Sequence, residues 1–516
     1  MIITMIPISV VVIILMCCVL ALYYKKRRRY LDLASKVPTQ KDRLPIIGHL
    51  YKLSGGSERL WEYSKEVSDA AEKAGGIITI WAGPKAIFCI NDPDDAFTVL
   101  NSCLDKSYFY KIAFGWFGHG LLTSDVATWK HNRKLLNPTF SQHVLDGFLP
   151  IFNRQATLLA LEMEQSAGTG LFDPTDYFRE VTLETVCQTA FGISLDDRSV
   201  IDSEYKKALA VALDGSAQRL GRFWLHSDFL YQFSALRKTM DEAVAVVHKM
   251  SRNVLNTRRA ERKEAKTANT SSRRFIAFLD LLLDLSDDGS FSDDQILNEL
   301  NIFIAAGHDT SSRVLVSIMV LLGTHQDVQE KLYKEVITVL GPSSYLNKED
   351  IARLVYTEAV IKEVLRLSLV VPIVAREVDK DIKLKNYTLP AGSGCAVLFW
   401  GIHRLPIWGP DRLQFRPERW LDPSTLPRNP GAFCGFSLGR RNCIGKPYAL
   451  MAIKTIVVHL VRKYRISADY SKVKLEYDVL LKYGEGQHIT LQLRKETKEE
   501  SKKGRREEEV QEDNFR

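Results

Sequence analysis

The stretch FSLGRRNCIG, Phe436 to Gly445, sets one cysteine between two glycines and just behind two arginines. Four chemistries put a cysteine in so short a loop: half of a disulfide, a buried apolar thiol, a nucleophile, or a metal ligand. The chain has 516 residues and eight cysteines, none in a C-x-x-C pair, which counts against a disulfide framework. A structural zinc site needs three further Cys or His ligands, and no suitable cluster lies nearby. A nucleophile needs a histidine base that spacing alone does not place, so that reading stays open at this point.

A thiolate ligand makes its own demands: backbone N–H donors, nearby cations and little water. Gly439 allows a tight turn, Gly445 allows a large group to approach closely, and Arg441 brings positive charge two residues before the sulfur. A single axial thiolate on a haem explains the loop with the fewest assumptions.

At 46% hydrophobic and 26% charged, the composition is that of a globular protein with a substantial core. Length alone suggests about three domains. Yet no linker rich in Gly, Pro or Ser divides the chain after residue 50, so one catalytic unit is expected over 51–494. The net charge of +8 is uneven: Lys25–Arg29 (KKRRR) and Arg258–Arg274 supply +5 each, and the rest is close to neutral. Nucleic-acid binding calls for basic residues spread over a folded face with aromatics interleaved. Here they flank an apolar segment and fill one polar loop, so nucleic acid is not expected as a partner.

Met1–Tyr24 carries no charge, and about 20 apolar residues suffice to span a bilayer. It lacks the basic n-region of a cleaved signal and runs into bulky Tyr23–Tyr24 and then KKRRR. A single uncleaved transmembrane helix over 1–24 is expected, with the catalytic unit on the cytosolic side by the positive-inside rule. In 25–50 the basic flank leads into KVPTQKDRLPIIGHL, where Pro38 and Pro45 stiffen a connector. The tail 495–516, seven basic and eight acidic residues, reads as disordered. Between these ends, apolar residues recur at helical spacing from about 130 to 370, as in QATLLALEMEQ, and DIKLKNYTLPAGSGCAVLFW alternates like short strands. The expected fold is mainly α with minor β-sheet.

Three further segments carry chemistry. In LNELNIFIAAGHDTSSR, Leu297–Arg313, a helix capped by Ser292 and Gln295 meets Ala305, Ala306 and Gly307. Those small residues open a face to something flat. Asp309 and Thr310 follow, an acid beside a hydroxyl that a core tolerates only when hydrogen-bonded; a kinked helix with satisfied polar groups is the alternative. Glu363 and Arg366, at i, i+3, share one helical face, and Arg419 in FRPERW is a candidate third member. Such a pair is commonly a weak surface contact, but here the helix is apolar at most other positions. Trp129 and Arg133, at i, i+4, suit an acidic group beside a flat apolar one.

Taken together and in this order, these segments resemble the cytochrome P-450 superfamily of haem-thiolate monooxygenases, over nearly the whole chain to about residue 490. Phe436, Gly439, Arg441, Cys443 and Gly445 match its F-x-x-G-x-R-x-C-x-G signature at every fixed position. The resemblance implies that Cys443 is the axial ligand of a haem b, with Phe436 packed near the sulfur. It implies that Asp309 and Thr310 deliver protons to bound oxygen, and that Glu363, Arg366 and Arg419 secure the core near the haem. Trp129, Arg133 and Arg376 would contact haem propionates. It also implies electrons from an NADPH-cytochrome reductase, with cytochrome b5 as a further donor, O2 as co-substrate, and residence in the endoplasmic reticulum membrane.

AGHDTS and LLTSDVATWKHNRKLLNPTF resemble the fatty-acid ω-hydroxylase clan and its insect members. Some of those relatives ester-link the haem through a Glu immediately before the glycine. Ala306 stands at that position, so no covalent haem link is expected. The aromatic run YFYKIAFGWF, Tyr108–Phe117, is either core packing or an apolar lid suiting a fatty acid, hydrocarbon, steroid or xenobiotic. Two other functions fit a haem-thiolate chain: a peroxide isomerase or dehydratase, and a membrane haem-binding protein without turnover. The intact Asp309–Thr310 pair argues against both.

Overall fold

Ser292 starts the helix around which the rest is built. Its Oγ accepts the Gln295 N–H at 3.3 Å while its own N–H donates to Gln295 Oε1 at 2.9 Å, the reciprocal cap expected from the sequence. The computed structural model describes Cys18, Leu22, Lys25 and residues 27–192, 202–267, 276–343 and 345–494. The expected anchor over 1–24 and tail over 495–516 lie, but for Cys18 and Leu22, outside the described residues; no helix among the described residues is long and apolar enough to cross a membrane.

The helices that frame the site are α1 (Val126–Leu136), α2 (Gln142–Glu162), α3 (Thr175–Phe191), α4 (Ser203–Gly221), α5 (Ala235–Thr267), α6 (Asp293–Thr324), α7 (Val355–Leu367) and α8 (Lys446–Lys463). The fold is mainly helical with minor sheet. Helix α6 is apolar on nearly every side because it is covered on nearly every side. Its first half, with Leu297, Leu300 and Ile304, shares a core with Phe148 and Phe152 of α2, Val186 of α3, Leu209 of α4 and Val247 of α5. Its second half, Val314–Leu322, packs with Val360 and Val364 of α7 and Val457 and Val458 of α8.

A four-stranded sheet flanks this bundle, in the order β1 (Ile77–Ala82), β2 (Lys85–Ile90), β4 (Gly394–Leu398), β3 (Ile373–Glu377). β2 and β4 run parallel, with Ile87 opposite Gly394, whereas β3 and β4 run antiparallel, with Arg376 opposite Cys395. The segment alternating in sequence forms short strands at Ile382–Lys383 and Thr388–Leu389 before β4. The proline-bracketed connector is docked on the sheet. Tyr30, Ala34 and Val37 join the core with Phe88 and Ile90, and Thr39 and Gly48 pair with Thr79 and Ala82 of β1. A Cβ at Gly48 would lie 2.1 Å from Trp81 O at φ +66°, so this contact requires glycine.

Candidate active site

The loop before α8 is held in shape by its own backbone. Cys443 N–H donates to Phe436 O at 3.0 Å and Ser437 N–H to Cys434 O at 2.9 Å. Ser437 and Gly439 both have positive φ, 62° and 71°, and a Cβ on Gly439 would meet Leu100 O at 2.6 Å. Helix α8 begins at Lys446, so the Cys443 sulfur sits at a helix N-terminus, where the N–H groups of Gly445 and Lys446 favour its charged form. Cys443 is exposed to the cavity, yet desolvation by the surrounding protein raises the thiol's pKa; those N–H groups and the charges of Arg133 and Lys446 act against it. A Cβ on Gly445 would meet Phe140 at 3.8 Å and the sulfur at 4.0 Å, ordinary contacts, so the protein leaves room beside Cys443.

Arg133 braces this loop: Nη1 and Nη2 donate to Asn442 O and Oδ1 at 2.8 and 3.0 Å, and Nε donates to Asn137 Oδ1 at 2.9 Å. Trp129, on the same helix α1, carries the Arg441 guanidinium 4.6 Å from its ring centroid. Both residues line the cavity onto which Cys443 opens.

Among the cations lining that cavity, Lys106, Arg376 and Arg441 form one cluster. A backbone bridge sets Lys106 beside Arg376 on β3. Arg376 Nη1 donates to Ala375 O at 2.9 Å, but its Nε is buried and unpaired. Arg441 Nη2 donates to Ser124 O and Asp125 O at 3.1 and 3.2 Å, and its Nε and Nη1 are buried and unpaired. Burial and then the neighbouring guanidinium groups push the Lys106 ammonium well below its usual pKa, and burial pushes Arg441 down to about 10. A buried donor without a partner costs about 1–3 kcal/mol, more when charged. Among the described residues no carboxylate is ion-paired with any of the three. Orphaned donors on two guanidinium groups, a third cation and a thiol with open space beside it fit a haem, whose two propionates are the anions this cluster lacks.

Helix α6 forms another wall with Ile302, Ala305, Ala306, Asp309 and Thr310. Gly307 does not open onto the cavity as expected. One residue turns a helix by about 100°, which aims Gly307 at α3, where a Cβ would meet Val186 at 3.0 Å. Thr310 Oγ1 donates to Ala306 O at 2.6 Å. The Asp309 carboxylate is gripped at both oxygens by Arg313, whose Nε and Nη2 donate at 3.0 Å each. His308 also borders the cavity and meets Thr182 Oγ1 at 3.1 Å through Nδ1; burial lowers its pKa to about 4.

The structure brings Glu363, Arg366 and Arg419 together in a fully buried cluster. The Glu363 carboxylate accepts from Arg366 Nε and Nη2 at 3.0 and 2.8 Å, from Arg419 Nε at 2.9 Å, from Trp420 Nε1 at 2.9 Å and from Arg416 N at 3.1 Å. Arg419 also pairs with the Asp411 carboxylate, its Nη2 lying 3.3 Å from Oδ2, and the two guanidinium groups donate their remaining N–H groups to the carbonyls of His403, Arg412, Gln414, Trp408 and Asp411. His403 couples this cluster to the cysteine loop: its Nε2 accepts the Cys434 N–H at 2.7 Å and its Nδ1 bonds to Arg366 O at 3.0 Å.

The cavity measures about 1120 Å³. The aromatic run serves both expected roles: Trp116 and Phe117 are buried in the core yet line the cavity, whereas Tyr108 is exposed and Phe109 half-buried, and both pack edge-on to His226 on the same cavity. Lys106, His403 and Arg313 were not singled out from the sequence. For Arg313 a signal existed, its i, i+4 spacing from Asp309; for Lys106 and His403 nothing local distinguishes them.

Comparison with known proteins agrees with this arrangement. The family described as Cytochrome P450 matches residues 38–488. The mouse protein Cytochrome P450 4V2 is 31% identical over 89% of this chain and 90% of its own length. Cytochrome P450 4c21 of Blattella germanica is 32% identical over 80% and 85%, and Cytochrome P450 4c3 of Drosophila melanogaster 31% over 82% and 83%. With the match spanning the docked connector, α6 and the cysteine loop alike, the chain belongs to the cytochrome P450 family and is a haem-thiolate monooxygenase.

Proposed function

We propose that this protein is anchored in the endoplasmic reticulum membrane through residues 1–24, its catalytic unit in the cytosol. It inserts one atom of O2 into a lipophilic substrate, a fatty acid, hydrocarbon, steroid or xenobiotic, with NADPH electrons passed through a reductase and with cytochrome b5 as a further donor. The observation that carries the reading is the shared cavity: Cys443, Thr310, the three cations and an apolar wall all open onto one space.

Haem b, held through a cysteine thiolate in this family and here without an ester link because Ala306 stands before Gly307, supplies the activation of O2 when bound. Cys443 is its ligand here, and the N–H groups of Gly445 and Lys446 support negative charge on the sulfur. Arg376, Arg441 and Lys106 hold the propionate carboxylates, Trp129 backs Arg441, and Arg133 fixes the loop through Asn442. Phe436 lines the same cavity and accepts the Cys443 N–H at its carbonyl, which would hold the sulfur in place for the haem. Thr310, released from Ala306 O, offers its hydroxyl to the cavity, and the Asp309 carboxylate beside it relays protons to it. Tyr108, Phe109 and the core aromatics exclude water from the substrate.

The carbon monoxide difference spectrum of the reduced protein tests the ligand, and NADPH consumption with a reductase and a panel of the four substrate classes tests the activity. A red-shifted thiolate band with substrate-dependent NADPH oxidation is expected. A folded sample without that band, or turnover of a peroxide without O2 or reductase, refutes the reading.

A further inference from the structure

Arg313 stands between the main cavity and a second, small one. This side pocket measures about 50 Å³ and lies between α3, α6 and the strand Leu481–Glu485, with Arg313 lining both spaces. The side pocket also shares Arg179, Val370 and Lys482 with the main cavity, and the Arg179 and Lys482 side chains are 54% and 34% exposed. Its inner side is a run of buried hydroxyls. Ser368 Oγ lies 2.9 Å from the Tyr483 hydroxyl and donates to Ser317 Oγ at 3.1 Å; Ser317 Oγ in turn donates to Arg313 O at 2.9 Å.

Arg313 commits Nε and Nη2 to Asp309, as described, and its remaining nitrogen, Nη1, is buried without a protein partner. A water needs about 10–15 Å³ of accessible space and two to four polar partners. The side pocket offers room for several waters, the hydroxyls to hold them and, in Arg313 Nη1, an unmet donor. The planar guanidinium fork fixes the plane of the Asp309 carboxylate in a way that a lysine ammonium does not reproduce.

We propose that the side pocket holds the water from which protons reach Asp309, and that Arg313 is the positioning residue that keeps the carboxylate between this water and Thr310. The proposal rests on the reading of Asp309 and Thr310 as the proton-delivery pair. Each productive turnover takes up two electrons and two protons per O2; one oxygen atom enters the product and the other leaves as water. If the same two electrons and two protons are taken up without insertion, the O2 leaves as H2O2. Interrupted proton delivery therefore shows as slower turnover and a larger peroxide share, with substrate binding unchanged.

The test is made on the full-length holoenzyme. In a high-resolution crystal structure, waters should occupy the side pocket, one of them within hydrogen-bond distance of Arg313 Nη1; a dry pocket overturns the proposal. Ser317→Val fills the pocket without touching Asp309 or the main cavity. It should lower kcat about tenfold or more, raise the peroxide share and the solvent deuterium isotope effect, and leave KM and the carbon monoxide spectrum as they were. Arg313→Met should behave similarly, and Arg313→Lys should recover only part of the coupling. A Ser317→Val enzyme as tightly coupled as its parent overturns the water route. Asp309→Asn separates the two readings: if it stays coupled, the proton-delivery assignment itself fails, whereas an uncoupled Asp309→Asn beside a coupled Ser317→Val defeats the side pocket alone.

Discussion

Replacing His403 with glutamine should make the protein less sensitive to acid without untying the cysteine loop. Because the Cys434 N–H must donate, Nε2 is the acceptor and the ring proton sits on Nδ1, donating to Arg366 O. Only a neutral imidazole satisfies both contacts. Burial, reinforced by the charges of Arg366 and Arg404, lowers its pKa from 6.5 to about 3. For a base whose pKa falls on folding, the stabilisation is present above the unfolded value and is lost as pH falls from about 6.5 towards 3. Going from pH 7.5 to 5.0 crosses about 1.5 units of that window, and at about 1.4 kcal/mol per unit His403 forfeits about 2 kcal/mol. Glutamine can accept from Cys434 and donate to Arg366 with no proton to gain. Urea midpoints by circular dichroism at the two pH values measure the loss, and the carbon monoxide spectrum checks that the loop is intact. The variant should lose about 2 kcal/mol less than the parent across the interval. Equal acid losses in the two proteins refute the reasoning.

Cys443→Ala should abolish the thiolate band while leaving the far-ultraviolet dichroism unchanged; a retained band reassigns the ligand. Glu363→Gln leaves Arg366 and Arg419 short of the carboxylate they share, and breaking a buried pair in this way costs about 3–5 kcal/mol. A shift in the urea midpoint worth less than about 1 kcal/mol contradicts the burial argument. Lys106→Met removes one of the three converging cations and should weaken haem retention, measured by transfer to apomyoglobin, by about tenfold or more. Unchanged retention means that the propionates lie elsewhere.

Some of this was legible in the sequence because it depends on contiguous chain. The Ser292 cap, the i, i+3 pairing of Glu363 with Arg366, and the turn glycine at Gly439 are local rules of backbone geometry, and the structure shows all three. The cysteine loop likewise carries its own donors, since Gly445 and Lys446 follow the sulfur directly. Alternation marked the short strands, and helical spacing marked the bundle.

What the tertiary structure decided concerns groups far apart in the chain and directions around a helix. Lys106 means nothing by itself; a backbone bridge to Arg376, 270 residues on, places it in the cation cluster. His403 acquires its role only because α7 and the cysteine loop pack on either side of it. Gly307 follows two small residues that face the cavity, yet the 100° turn per residue sends it against Val186. Sequence by itself determined the family, the ligand loop and the helical cap, because each is written in neighbouring residues. Only the fold decided which buried charges meet, because burial removes the water that would otherwise satisfy them and makes each depend on partners the chain brings from afar.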